Sequence, residues 1–541
     1  MTAIAIKQFG GISPKVPSRY LQDSQAQVAK DCLVFNGSLQ PMQDVSASVY
    51  SLPKTGTPLT IYRFGQSLIS DTQYWFHWTT DVDVCRSQIA GDTSEWTFYT
   101  DGTLPKATYS SLALTGGTQY PIASRTLGLP APAAGPLVTV SGTAAVGGTV
   151  ESRVYTYTLV NKESGFEFES APAPASTIVD VTAGQTVTVS GFSSIPAGYV
   201  STHRRIYRAV AGVYLLVAEI TVATASFADT VDAESLGEEL PSLTWTMPPA
   251  ALRGLTNLPG GVMAGFVGRD VYFCDPYHPH AWPEQYVQSL DYPVVGLGRM
   301  DTTLAVLTTG TPYLIQGSHP DTMVVVKSDL EQACASKRSI VSTNGAVFYA
   351  SPDGLVMLSS GGSKLLTESY FTRAQWQAYF KPDSIVGYAQ DLKYVGFYNN
   401  GATSGGFIYD LTTGQLVLHG IYATAGYSDL VNDKLFLAVA DRSVKVWQAG
   451  SARSYVWRSK KFTMPRQLSF ACAQLEAESY PMTLKFYCEG AATPTFTQTV
   501  DSRMPFRLPA SAARDWEVQI EGSAEVFSFA AAQAMEELKS V

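Results

Sequence analysis

Gly265-Phe-Val-Gly-Arg-Asp-Val-Tyr-Phe-Cys274, followed at once by Asp275-Pro-Tyr-His-Pro-His-Ala-Trp-Pro-Glu284, is the stretch on which the reading of this chain turns. Its first half has the apolar, aromatic character of a strand. Its second half sets two histidines, two carboxylates and two large aromatics among three prolines. Further on come Thr303-Leu-Ala-Val-Leu307, Tyr313-Leu-Ile315, Ala346-Val-Phe-Tyr-Ala350 and Leu355-Val-Met-Leu358, all short apolar runs of strand length. The loop invites a catalytic or metal reading, and the strands around it invite a structural one.

Asp275, His278, His280 and Glu284 are the metal candidates. A His-x-His pair on a strand would put both imidazoles on one face, where a metal can use them. Pro276, Pro279 and Pro283 forbid a regular strand here, and no second His or Cys cluster completes a ligand set. A shaped aromatic loop between strands is therefore expected, with no metal and no cofactor. Glycoside cleavage would need two carboxylates roughly 5–10 Å apart across a cleft. Asp81 with Asp83, and Glu476 with Glu478, alternate on expected strands and share a face in each pair, which solvated strand faces also do. Ser351-Pro-Asp-Gly354 lacks the rest of a sialidase-type Asp box, and there is no G-x-S-x-G, P-loop or dinucleotide fingerprint. No catalytic residue is expected, and the chain is read as a non-enzyme.

The composition supports an all-β protein. Only 15% of the 541 residues are charged, while 44 Gly, 30 Pro and 29 Tyr favour short strands and tight turns. A net charge of −9 argues against a globally basic nucleic-acid binder. The N-terminus lacks a secretory pattern, and no run approaches the roughly 20 apolar residues of a membrane helix, so membrane insertion is not expected. Six scattered cysteines without a C-x-x-C pair read as free thiols in a protein made in a reducing cytoplasm, although Cys472 and Cys488 could face each other across a hairpin.

Along the chain, residues 1–50 read as an N-terminal arm. Phe9-Gly-Gly11, Pro14 and Pro17 break regular structure, residues 24–30 suggest a short helical turn, and Asn36-Gly37 marks a hairpin. Residues 51–128 and 244–460 form the expected β-propeller body. Its clearest strand pairs turn at Pro352-Asp-Gly354, Asp391, Thr413-Gly414 and Asp441, and the groups recur about every 40 residues, as propeller blades do. Residues 129–243, opened by Leu129-Pro-Ala-Pro-Ala-Ala-Gly-Pro136, read as an inserted sandwich. About seven strands in roughly a hundred residues is the immunoglobulin-like or fibronectin-like signature. One helix is expected over 369–379, burying Phe371, Trp376 and Tyr379, and residues 461–541 form a C-terminal β-rich domain that ends in a helix over 530–538. The fold class is thus a distorted β-propeller carrying an inserted sandwich and a C-terminal β-rich domain.

Two charge runs stand out. Arg453, Arg458, Lys460, Lys461 and Arg466 lie together without an acid, and Asp229, Asp232, Glu234, Glu238 and Glu239 crowd the end of the sandwich. Solvated faces explain most such runs, and pairing between subunits of a ring is the functional reading preferred here.

Several stretches resemble one family in order. Phe9-Gly-Gly11 and Ala29-Lys-Asp-Cys-Leu-Val-Phe-Asn-Gly-Ser-Leu-Gln-Pro41 resemble the N-terminal arm of the tail nozzle (tail tubular protein B-like) proteins of short-tailed bacteriophages. Gly268–Glu284 as quoted, Tyr292-Pro-Val-Val-Gly-Leu297, Leu304-Ala-Val-Leu-Thr-Thr-Gly-Thr-Pro-Tyr313, Pro352-Asp-Gly-Leu355 and the insert's Arg205-Ile-Tyr-Arg208 continue it. The resemblance implies a structural protein of the virion tail, a hexameric homo-oligomeric ring whose channel retains packaged DNA and conducts it into the host. It also implies a portal-adaptor (head-tail connector) neighbour, tail fibre or spike partners, viral DNA passing without sequence-specific contacts, and synthesis in the host cytoplasm. A receptor-binding or glycan-degrading β-propeller protein of a virion or bacterial surface is the other function compatible with such an architecture.

Overall fold

The structure is a computed structural model that describes residues 3–65, 74–343 and 345–538. The chain forms two compact units. Unit 1 comprises Met1–Thr79, Leu307–Pro312 and Ser328–Val541; unit 2 comprises Thr80–Val306 and Tyr313–Lys327. Both are built of antiparallel strand groups, and the fold is all-β and propeller-like. No helix among the described residues is long and apolar enough to cross a membrane.

Unit 2 contains a group running Asp83–Arg86, Thr97–Thr100, Lys106–Thr108 and Arg125–Thr126, each strand pairing with the next. A second runs Arg253–Leu258, Val262–Val267, Asp270–Phe273 and Gln288–Ser289. A third runs Val294–Met300, Thr303–Thr308, Tyr313–Gln316 and Val324–Lys327. These are four-stranded meanders of the blade type. In the second group the turn between Val267 and Asp270 is made by Gly268 at φ +61°, a conformation that costs a side-chain-bearing residue energy.

Between the first two groups lies a β-sandwich. One sheet holds Leu137–Ser141, Thr186–Ser190 and Ser226–Asp229; the other holds Phe166–Glu169, Tyr155–Glu163, His203–Val210 and Val213–Thr221. Val150–Arg153 and Val179–Thr182 add a two-stranded ribbon. Tyr155, Tyr157, Val181, Val187, Val189 and Ile206 make its core. Besides that core, Leu159, Phe166 and Phe168 of the sandwich join Trp96, Phe98, Leu127, Leu129 and Trp282 in a second apolar cluster. Shared burial, rather than the proline-rich linker, defines its attachment.

In unit 1 the expected turns at 352–354, 391, 413–414 and 441 each join two paired strands. One four-stranded group is Val341–Ser342, Ala346–Ala350, Leu355–Ser359 and Gly362–Leu365; another is Val386–Gln390, Lys393–Asn399, Ser404–Asp410 and Leu416–His419. A third, Ala425–Asp429, Lys434–Ala438 and Ser443–Val446, is completed by Tyr50–Ser51 from near the other end of the sequence.

Residues 1–50 are no arm but part of this core. Ala3–Ile6 pairs with Val526–Ala532, turning Ile4 and Ile6 inward on the strand's alternating face. Ala26–Lys30, read from sequence as a helical turn, is a strand antiparallel to Tyr455–Ser459 and parallel to Leu416–His419. It occupies the middle of a ten-stranded sheet that runs on through Tyr455–Ser459, Ala513–Gly522, Met482–Cys488 and Phe496–Val500. Residues 461–541 therefore share a sheet with residues 386–419, and no boundary falls at 460. Between Cys32–Leu33 and Gln40–Pro41 the hairpin marked by Asn36-Gly37 forms as expected.

The mid-chain helix spans Arg373–Phe380. A capping box between Thr372 and Gln375 fixes its start, and Lys381 at φ +48° ends it. Trp376 and Phe380, four residues apart, are its buried aromatics, whereas Tyr379 is exposed. The expected helix over 530–538 begins inside a strand, Val526–Ala532, and only Met535–Leu538 is helical. Cys472 and Cys488 lie on strands of different sheets, Cys472–Ala477 and Met482–Cys488, so no hairpin brings them together. All six cysteines are free and buried.

Candidate functional site

Residues 275–286 fold into a self-bonded loop. Asp275 N donates to Ala281 O (2.8 Å), His278 N to Asp275 O (2.9 Å) and Ala281 N to His278 O (2.9 Å), so the prolines lose few ladder donors. Trp282 Nε1 donates to Pro279 O (2.8 Å). Tyr277, at φ +62°, covers Gly261, where an added Cβ would lie 2.5 Å from its ring.

The candidate ligands are each engaged in different contacts. His278 Nδ1 pairs with Asp275 Oδ2 at 2.8 Å, and Asp275 Oδ1 also accepts from Tyr286 Oη at 3.3 Å. Glu284 is exposed at the start of a short 3-10 turn, Glu284–Tyr286. His280 is buried: its Nε2 accepts from Glu169 N (3.2 Å) on the sandwich, and its ring lies edge-on to Phe168 (5.2 Å) and Trp245 (5.3 Å). Because Nε2 accepts, the neutral imidazole carries its proton on Nδ1. Among the described residues no three His, Cys, Asp or Glu side chains are grouped to hold a metal ion.

The loop is a joint. Trp282 N donates to Thr246 O (2.8 Å), and Thr246 Oγ1 donates back to Trp282 O, tying it to the strand-free segment that leaves the sandwich. On the sandwich side, Glu169 Oε1 accepts from Thr158 Oγ1 and Tyr207 Oη, and Glu169 Oε2 pairs with Arg205 Nη1, all at 2.7 Å. Arg205 also meets Glu167 (2.6 Å) and Glu219 (2.9 Å), and these carboxylates raise its pKa against the opposing effect of burial. A second tie is Glu163, which takes Tyr109 Oη (2.7 Å), Arg125 Nη2 (2.9 Å) and Asn161 Nδ2 (3.2 Å). Desolvation opposes its ionisation, but these donors together hold its carboxyl below the usual glutamate value.

Burial pushes the His280 imidazole down to about 3, with His278 adding to the effect, and pushes His77 down to about 4 and His419 to about 3. A histidine whose folded pKa is depressed stabilises the fold above its unfolded value of 6.5, and that stability is lost as pH falls toward the folded value. We expect the thermal midpoint of the full chain to fall progressively between pH 6.5 and about 3. A flat midpoint across that window in a differential scanning experiment would contradict the burial of these rings.

The other carboxylate candidates lie on or beside strands. Asp83 Oδ2 accepts from Gly254 N (2.6 Å) and Thr100 Oγ1 (3.3 Å), while Asp81 is exposed outside the strand. Glu476 pairs with Arg503 and accepts from Ser528 Oγ (3.3 Å), and Glu478 is exposed beyond the strand end. In the basic run, Arg453 meets Asp31 and Asp44 (both 3.1 Å), Arg458 meets Glu517 (2.6 Å), Lys460 meets Asp23 (3.0 Å) and Lys461 meets Glu517 (3.8 Å). These four cations close on carboxylates of their own chain, several of them in the N-terminal segment, and Arg466 is exposed. In the acidic run Asp229 is buried on Arg208 (2.7 Å), and Asp232, Glu234, Glu238 and Glu239 are exposed. The Glu169 and Asp229 hubs went unrecognised in the sequence. Their signal was an arginine at an inward position of an alternating strand, as at Arg208 beside Ile206, which requires a buried carboxylate partner.

No family model matches the chain, and no curated protein matches it. Among solved structures, the chain is similar to the Pan2 WD40 domain of Neurospora crassa at 8% identity and a TM-score of 0.32, covering 75% of this chain and 96% of that one. BBS1N, solved in complex with ARL6DN, is 12% identical with a TM-score of 0.24, covering 82% of this chain and 96% of that one. PorZ, a bacterial surface component of the type-IX secretion system of Porphyromonas gingivalis, is 11% identical with a TM-score of 0.24, covering 89% of this chain and 82% of that one. With TM-scores this low the likeness is distant, and none of these proteins lends this chain a function.

Proposed function

We propose that this chain is a structural protein of a short-tailed bacteriophage virion, a tail nozzle subunit that forms a ring through which packaged DNA is retained and then conducted. The observation that carries the structural half of the reading is the 275–286 loop, whose His280 and Trp282 are engaged in joining it to the sandwich and to the segment that leaves the sandwich. The ordered series of resembling stretches supplies the rest. In this reading the homo-oligomer is hexameric, it meets a portal-adaptor protein on one side and fibre or spike proteins on the other, and DNA passes without sequence-specific contacts. A channel without a dense basic wall suits that task, because each bound phosphate would slow transit; the net charge of −9 is compatible with it.

Negative-stain images of the purified full chain test the proposal. Sixfold rings or short stacked tubes are the expected result. Particles that remain monomeric at all concentrations and ionic strengths would overturn it.

A further inference from the structure

Two buried amide oxygens beside the joint, Asn161 Oδ1 and Asn257 Oδ1, have no hydrogen-bond partner among the described residues. In both residues the amide orientation is fixed from its other end. Asn161 Nδ2 donates to Glu163 Oε2 (3.2 Å), and Asn257 Nδ2 donates to Arg86 O (2.7 Å). A carboxylate and a carbonyl accept only, so turning either amide over would set acceptor against acceptor. The missing partner at each site is therefore a donor.

Each residue lines a small, partly open space. Asn161, itself 3% exposed, faces a cavity of about 10 Å³ bounded by Arg125, Thr126, Phe168 and Tyr199. Asn257 faces another of about 10 Å³ bounded by Ser87, Gln88, Tyr277 and Pro279. Roughly this volume admits the centre of one water molecule and nothing larger, and a buried water needs two to four polar neighbours. Arg125 and Thr126 supply polar groups at the first site, Ser87 and Gln88 at the second.

We infer that each cavity binds one ordered water that donates to the asparagine oxygen and belongs to the fold. The first water links the sandwich strand Tyr155–Glu163 to Arg125–Thr126; the second lies under the 275–286 loop, beside Tyr277 and Pro279.

A crystal structure of the full chain, at a resolution that shows ordered solvent, tests this directly. An isolated density peak about 2.6–3.2 Å from each oxygen is expected. Empty cavities, or amides turned onto a donor of the chain, would overturn it. A second measurement counts long-lived waters by oxygen-17 magnetic relaxation dispersion. Asn161→Leu, which removes the accepting oxygen at similar volume, should lower the count by one, and an unchanged count in the folded variant would refute that site.

Discussion

A chain lacking residues 1–50 will fail to form unit 1, and will not behave as a folded subunit that has merely lost a docking arm. Ala26–Lys30 lies between Leu416–His419 and Tyr455–Ser459, so its removal divides the ten-stranded sheet at an interior strand. Ile4, Ile6, Phe9, Ile12, Leu39 and Met42 are all buried in the large core of that unit. Full burial of such side chains contributes about 1.5–3 kcal/mol each, so the loss is on the order of 10 kcal/mol. That matches or exceeds the roughly 5–15 kcal/mol by which a domain is stable. Specific bonds go as well: Trp457 Nε1 donates to Gly10 O (3.0 Å), and Arg453 loses Asp31 and Asp44. Gly11 passes so close to Leu416 that an added Cβ would lie 2.1 Å from its carbonyl oxygen. Limited proteolysis and circular dichroism of the truncated protein should show rapid cleavage within 328–541 and loss of β signal. A cooperative melt at the full-length midpoint would show the segment to be an appendage after all.

The second large effect is expected at Asp229. Its carboxylate and the Arg208 guanidinium are both fully buried, 2.7 Å apart, and Asp229 also accepts from Tyr155 Oη (2.6 Å) and Val231 N (3.0 Å). Hydrogen bonding to Asp229, added to desolvation, pushes the Tyr155 phenol well above its usual value. Asp229→Asn keeps the shape but leaves Arg208 charged and uncompensated in the interior. Breaking a buried pair from one side costs about 3–5 kcal/mol. Arg208 keeps Val231 O (3.0 Å) as a neutral acceptor, but its Nε and Nη2 already lack partners among the described residues and no second carboxylate replaces Asp229 there. Urea unfolding should show that destabilisation, and adding Arg208→Met should recover part of it, because the unpaired charge then disappears. A single-variant loss below about 1 kcal/mol would mean that the pair is solvated in solution.

Where strand alternation met a turn residue, the sequence was legible. The pairs around Pro352-Asp-Gly354, Asp391, Thr413-Gly414 and Asp441 need only neighbours a few residues away, and local chemistry names them. The N-terminal segment was illegible for the opposite reason. Ala26–Lys30 carries good helix formers, and its strand partners lie some 400 residues on, so tertiary pairing overrode local propensity. Phe9-Gly-Gly11 looked like a breaker, whereas the glycines allow the backbone to approach Leu416 closely. Tyr379 was misassigned because i+3 from Trp376 fits a helical face as well as i+4 does, and the packed face runs through Trp376 and Phe380.

At the loop, the prolines rightly argued against a regular strand, but they gave no hint of what the histidines touch. His280 Nε2 finds its donor on Glu169, more than a hundred residues earlier in the chain. Only the folded sandwich brings that N–H into place, and no periodicity in the sequence encodes it.

The titration of His280, followed by NMR in selectively labelled full chain, is the most direct test of the loop as a joint. The expected spectrum is that of a neutral Nδ1–H imidazole from pH 8 down to about 4, consistent with a pKa near 3 and with Nε2 occupied by Glu169 N–H. A ring that titrates near 6.5, or whose nitrogen shifts move on addition of zinc, would show His280 open to solvent or ligand and would contradict the joint.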